Sequence, residues 1–189
     1  MRYFEQITSV SVGPNVVAKA AQFAAQVTPT VGTPGRGYGD SSQYNLQKIH
    51  FDHFVSKVGE EAVKEAFRLS GQSVRGPDYR IYESKGKSWD ADLFVNGVGL
   101  AVKTQTAKNA VRYGLSWTFQ AGRYRKDPIL GQPEAWVCFV EFDEARKRCE
   151  VYPPYQISEL TFGEPRLERL KGSKKVVYAA SLPVAAKAA

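Results

Sequence analysis

Two aspartates, a lysine and a glutamine fall within one short unit, Trp89 to Thr106, WDADLFVNGVGLAVKTQT. Asn96-Gly97 and Gly99 tolerate positive φ and lie between two β-prone, mostly apolar runs, so the unit reads as a β-hairpin. Alternation along each strand sorts the side chains into two faces. Ala91, Leu93 and Val95 with Leu100, Val102 and Thr104 make an apolar face suited to a core. Asp90, Asp92 and Phe94 with Ala101, Lys103 and Gln105 make a largely polar one. A turn centred on Gly97-Val98 sets Asp92 across from Lys103 and Asp90 across from Gln105. A turn at Asn96-Gly97 sets Lys103 across from Asp90 instead, and either turn leaves the two faces unchanged. Carboxylates beside a lysine are the groups that metal-dependent phosphodiester hydrolysis needs. Aspartate offers oxygen to a hard divalent cation, and an ammonium orients the attacking water and offsets charge building on the phosphate. The plainer account is a half-exposed ribbon whose Asp and Lys form an ordinary cross-strand ion pair.

With Asp92 of ADLFVNG on one strand and Lys103 of LAVKTQT on the next, the hairpin resembles the PD-(D/E)XK nuclease superfamily. In that superfamily an Asp opens one strand of a hairpin and a Glu-x-Lys sits on its partner. The middle position departs from the pattern, because Ala101 stands where the superfamily has Glu or Asp. Pro77-Asp78 followed by Glu83-Ser84-Lys85 spells the motif literally, but its Asp and Glu are too close in sequence to occupy adjacent strands joined by a turn. The resemblance extends over roughly residues 57–152. KVGEEAVKEAFRLSGQSV looks like the helix that precedes the catalytic hairpin, where an acidic residue after a Gly completes the metal site; Glu60 is the matching position.

The hairpin needs a scaffold. Tyr44 to about Leu69 reads as a helix, interrupted near Gly59, with Phe51, Phe54, Val58, Ala62, Val63, Ala66 and Phe67 in one apolar stripe. At a hundred degrees per residue Glu61 faces solvent, whereas Glu60 lies beside Phe67 at the stripe's margin. His50 and His53 share a side of this helix, and without a third His or an HExxH pattern they are assigned to packing or hydrogen bonding. Tyr79 to Tyr82 reads as a first strand. Upstream, Asn15 caps a small helix over 16–27, and the Gly-, Pro- and Ser-rich 28–42 is a loop or arm in which Arg36 and Tyr38 lie. Thr106 to Tyr113 reads as a short helix that presents Lys108 and Arg112 together. The segment after it interleaves Trp117, Phe119 and Tyr124 with Arg123, Arg125 and Lys126, a pattern suited to phosphate and base contact, although Trp117 and Phe119 also suit a strand core. AWVCFVEF over 135–142 is a buried strand, 148–152 pairs with it, and 174–180 returns as an edge strand.

The chain of 189 residues is 43% hydrophobic and carries a formal net charge of +7. That charge favours an anionic partner, nucleic acid before membrane, since no stretch is apolar enough to span a bilayer. No secretory signal is read at the N-terminus, Cys138 and Cys149 lack metal-ligand spacing, and a cytoplasmic setting with reduced thiols is expected, in a prokaryotic or phage context. The expected division is an N-terminal helix and flexible arm over 1–42 and a nuclease-like α/β domain over 43–189.

Together these features lead to an α/β fold with a restriction-endonuclease-like core, a central mixed β-sheet flanked by helices. The resemblance implies a DNA endonuclease in which Asp92, with Asp90 or Glu60, binds Mg²⁺ or alternatively Mn²⁺. Lys103 positions the attacking water and Gln105 assists it. Lys108, Arg112, Trp117, Arg123, Arg125 and Lys126 hold the DNA, and a homodimer is one expectation for an enzyme that cuts two strands. The competing expectation is a DNA-binding or assembly protein that keeps the fold and has lost the site at Ala101. A third is an unrelated α/β domain with a basic surface.

Overall fold

The computed structural model describes residues 1–32, 44–82, 91–123 and 125–183, together with the backbone of 186–187. Asp90, Trp89, Tyr124, the arm residues Arg36 and Tyr38, and the Glu83-Ser84-Lys85 triplet lie outside the described residues.

Strand β6 (Trp136–Asp143) organises the molecule. Its near-continuous apolar run reflects burial on both faces. Cys138, Val140 and Phe142 enter one core and Val137 and Phe139 enter another. Strand β4 (Val98–Thr106) pairs with β6 in parallel, and β7 (Arg148–Val151) pairs with it antiparallel. Beyond β7 lies β1 (Gln6–Ser11), then β10 (Ala186–Lys187). Beyond β4 lie β3 (Leu93–Val95) and β2 (Val74–Arg75), and the short β8 (Tyr155–Gln156) joins β6 from the side. The result is an α/β architecture with a mixed sheet flanked by helices.

One face of that sheet carries α2 (Leu46–Leu69), capped by the Asn45 side chain, which accepts from the Lys48 amide at 3.1 Å. The helix buries Val58, Val63, Ala66 and Phe67 against Leu93, Leu100, Val102 and Phe142. It runs without interruption through Gly59, contrary to the expected break. The glycine serves a close approach instead, since a Cβ there would lie 1.8 Å from Thr104 Oγ1. Helix α1 (Pro14–Val27) begins at Pro14, whose missing N–H costs nothing at a helix start, and not after an Asn15 cap.

The other face carries a two-stranded ribbon, β5 (Ser116–Gln120) with β9 (Lys174–Tyr178), reached through the short α3 (Ala107–Tyr113). Trp117 and Phe119 fill its core with Phe139, Tyr155 and Val177. The expected strand over Tyr79 to Tyr82 is not formed, and Val74–Arg75 pairs with the hairpin instead. Pro77 offers no N–H to a ladder, and the Tyr79 ring turns inward to meet Phe23 edge-on at 5.6 Å. Cys138 and Cys149 are both buried as free thiols.

Candidate functional site

The hairpin turn is Asn96-Gly97, since Val95 pairs with Val98. Both turn residues have positive φ, 48° and 83°, as a type I′ turn requires. Of the two registers the sequence allows, this is the one in which Asp92 does not lie across from Lys103.

Asp92 sits one residue before β3, where its Oδ2 accepts from the Val102 amide at 2.8 Å. That bond pins the carboxylate to the strand at the mouth of a cleft of about 480 Å³. Glu60 and Lys57 enter the same cleft from α2, while Arg75, Asp78 and Arg80 line it from the segment that follows the helix. Glu60 is only 2% exposed. One carboxylate oxygen accepts from Ser56 Oγ at 3.0 Å, and the other meets Lys57 Nζ at 2.5 Å. Burial pushes the Glu60 carboxyl up to about 7, the charge of Asp92 adds to the rise, and the attraction of Lys57 opposes it without cancelling it. Asp78 is differently placed. Its slight burial works against ionisation, but hydrogen bonds from Arg80 and Tyr82 outweigh it and hold the carboxyl at about 2.

The other expected site residues go elsewhere. Lys103 shares a face of β4 with Ala101, turned away from α2 and toward the β5–β9 ribbon. Its ammonium lies 2.9 Å from Asp127 Oδ2 and 4.9 Å from the centre of the Phe119 ring, and it is not among the residues lining the cleft. Gln105 is also spent on structure: its Nε2 donates to the Gly114 carbonyl at 3.3 Å and its Oε1 accepts from the Ser116 amide at 2.9 Å. Asp92 and Glu60 are therefore brought together, and Lys103 and Gln105 are not brought to them. Among the described residues no group of three or more His, Cys, Asp or Glu side chains is placed to hold a metal ion. His53 lines the cleft and meets the Phe23 ring edge-on at 6.2 Å.

Lys57 is the cleft residue that the sequence reading passed over. Its signal was present, three residues before Glu60 and so on the same side of the helix. It was masked by the stronger pull of Lys103 in the hairpin.

Of the expected DNA contacts, Lys108 and Arg112 are exposed on α3, and Arg123, Arg125 and Lys126 lie on the loop after β5. The Ala121 amide donates to the Ser173 carbonyl at 2.9 Å, which sets this loop beside Lys174 and Lys175 of β9 and enlarges its basic surface. Trp117 cannot stack on a base here, because it is 2% exposed and packed flat on Phe139 at 4.5 Å. Its indole N–H donates to the Val140 carbonyl at 2.9 Å. Trp117→Phe is expected to cost roughly 1–3 kcal/mol in urea unfolding, from the lost bond and the poorer fill.

Comparison of the chain with family models, with curated proteins and with solved structures gives no significant match.

Proposed function

We propose that this protein is a metal-dependent DNA endonuclease of restriction-endonuclease-like fold, hydrolysing phosphodiester bonds in the cleft between α2 and the β3–β4 hairpin. The observation that carries this reading is the meeting of Glu60 and Asp92 in one cleft, with the buried Glu60 carboxyl pushed up to about 7. The charge of Asp92 disfavours ionisation of Glu60, and a divalent cation held by the two oxygen donors would relieve that. Mg²⁺ is commonly held by one or two carboxylates together with substrate phosphate oxygens, so the pair is sufficient, and the all-oxygen set also suits Mn²⁺. When bound, such a cation polarises a phosphoryl oxygen and lowers the pKa of a coordinated water.

The chain's own groups supply the remainder. Asp92 and Glu60 would hold the ion, with Glu60 reaching from α2 to replace the carboxylate that Ala101 lacks. Lys57 keeps an ammonium in the cleft, where it offsets charge building on the phosphate, the task first expected of Lys103. The net charge of +7 favours approach of a polyanion. One observation favours a second reading, a DNA-binding protein without catalysis: Ala101 supplies no carboxylate, and Lys103, two residues on, is already engaged by Asp127.

Nicking of supercoiled plasmid with Mg²⁺, with Mn²⁺ and with chelator tests both readings. Metal-dependent nicking is expected, lost in Asp92→Asn and Lys57→Met but retained in Lys103→Met. Tight DNA binding with no cleavage under any condition would support the non-catalytic reading and overturn the nuclease. Absence of both would leave an α/β domain whose basic surface serves another partner.

A further inference from the structure

The cleft is lined by a cation, Arg75, that forms no ion pair among the described residues. Arg75 and Phe94 are cross-strand neighbours in β2 and β3, and the guanidinium carbon lies 4.3 Å from the centre of the Phe94 ring. Among the described residues the Arg75 side chain makes no ion pair and no hydrogen bond, although three carboxylates, Glu60, Asp78 and Asp92, line the same cleft. An aromatic seat of this kind fixes a guanidinium plane while leaving its N–H edge available to an anion.

The spacing identifies the anion. Asp92, one residue before β3, and Phe94 both line the cleft and are two residues apart, so Arg75 beside Phe94 stands roughly 7 Å along the chain from Asp92 at about 3.3 Å per residue. That is close to the separation of successive phosphates along a nucleic-acid strand. The cleft's volume constrains the strand further. Its volume of about 480 Å³ has room for about one nucleotide, and Glu60, at 2% exposure, lies deep within it. A phosphate still held in a duplex would keep the partner strand against the rim and could not reach that depth.

Resting on the nuclease reading above, we infer that Arg75, seated on Phe94, holds the phosphate next to the one cut, and that the strand entering the cleft is unpaired there. The test is binding by the full chain, in chelator, of a short labelled oligothymidine and of the same oligomer annealed to its complement, as a function of salt. The wild type is expected to bind the single strand more tightly than the duplex. Arg75→Gln is expected to weaken single-strand binding roughly tenfold and to reduce its salt slope by about 0.7, the loss of one phosphate contact, with duplex binding unchanged. Arg75→Lys, which keeps the charge but not the flat seat, is expected to keep the slope and lose only part of the affinity. An Arg75→Gln protein with wild-type melting temperature and wild-type salt slope would overturn the inference, and so would tighter binding of the duplex. Because binding is read without metal, the two failures separate. A chain that never cuts DNA yet depends on Arg75 for single-strand affinity overturns the nuclease and keeps the subsite. A chain that cuts DNA with Arg75 irrelevant overturns the subsite alone.

Discussion

Gly59→Ala is expected to destabilise the fold by about 3 kcal/mol or more, measured by urea unfolding, against a helix-propensity gain of about 1 kcal/mol in the opposite direction. The added methyl would lie 1.8 Å from Thr104 Oγ1, 2.9 Å from Thr104 Cβ and 3.1 Å from Thr104 Cγ2. No rotation of Thr104 escapes this contact, because its Cβ is fixed by the backbone of β4. That strand is clamped between β3 and β6, and α2 is fixed by the burial of Val58, Ala62 and Val63 around the glycine. Thr104→Ala removes two of the three atoms and is expected to restore part of the loss in the double variant. Alone it should cost little, since Thr104 Oγ1 is buried with no hydrogen-bond partner among the described residues. A Gly59→Ala protein as stable as the wild type would mean that helix and strand do not approach this closely.

Glu60→Gln is expected to stabilise the protein at neutral pH and, on the nuclease proposal, to remove metal-dependent cleavage. The folded carboxyl titrates at about 7 against an ordinary value of 4.5. The folded state therefore holds a proton that the unfolded chain has released throughout that window. Stability contributed by this group is present below pH 4.5, falls as the pH rises, and is lost above 7. The difference of about 2.5 units corresponds to roughly 3 kcal/mol, on the order of 10 °C in melting temperature for a chain of this size. The gain of the Gln variant should be absent near pH 4.5, grow through pH 6 and level off above pH 7. If Glu60 and Asp92 hold a divalent cation, adding Mg²⁺ should stabilise the wild type and leave the variant unmoved. A variant less stable than the wild type at every pH would show that the pairing with Lys57 outweighs the cost of burial.

The hairpin, both long helices and the central strand were legible in the sequence, because each depends on a local signal. Asn96-Gly97 specifies its turn, and the stripe through Val58, Val63 and Phe67 specifies which side of α2 is buried. The run in β6 declares burial on both faces. What stayed hidden depends on contacts between segments far apart in the chain. Gly59 reads as a helix breaker until Thr104 is placed against it. Lys103 reads as a cleft residue because alternation assigns it to the same set as Asp92. The described structure turns it toward Asp127, 24 residues further along, and no local pattern announces that partner. The strand expected at Tyr79 failed for a similar reason, since the tyrosine found a partner in Phe23 on α1.

The placement of β1 bears on how the chain acquires this fold as it is synthesised. Its residues Thr8 to Ser11 pair with Val151 back to Arg148, so this strand finds its ladder only after β7 has been made. Until then its backbone groups must remain with water or with a transient partner, and the edge of β7 has no cover on arrival. Closure of that pairing joins strands separated by most of the described residues, at a cost in loop-closure entropy. The β1–β7 pairing therefore waits on the later of the two strands, whatever the elements between them have already formed.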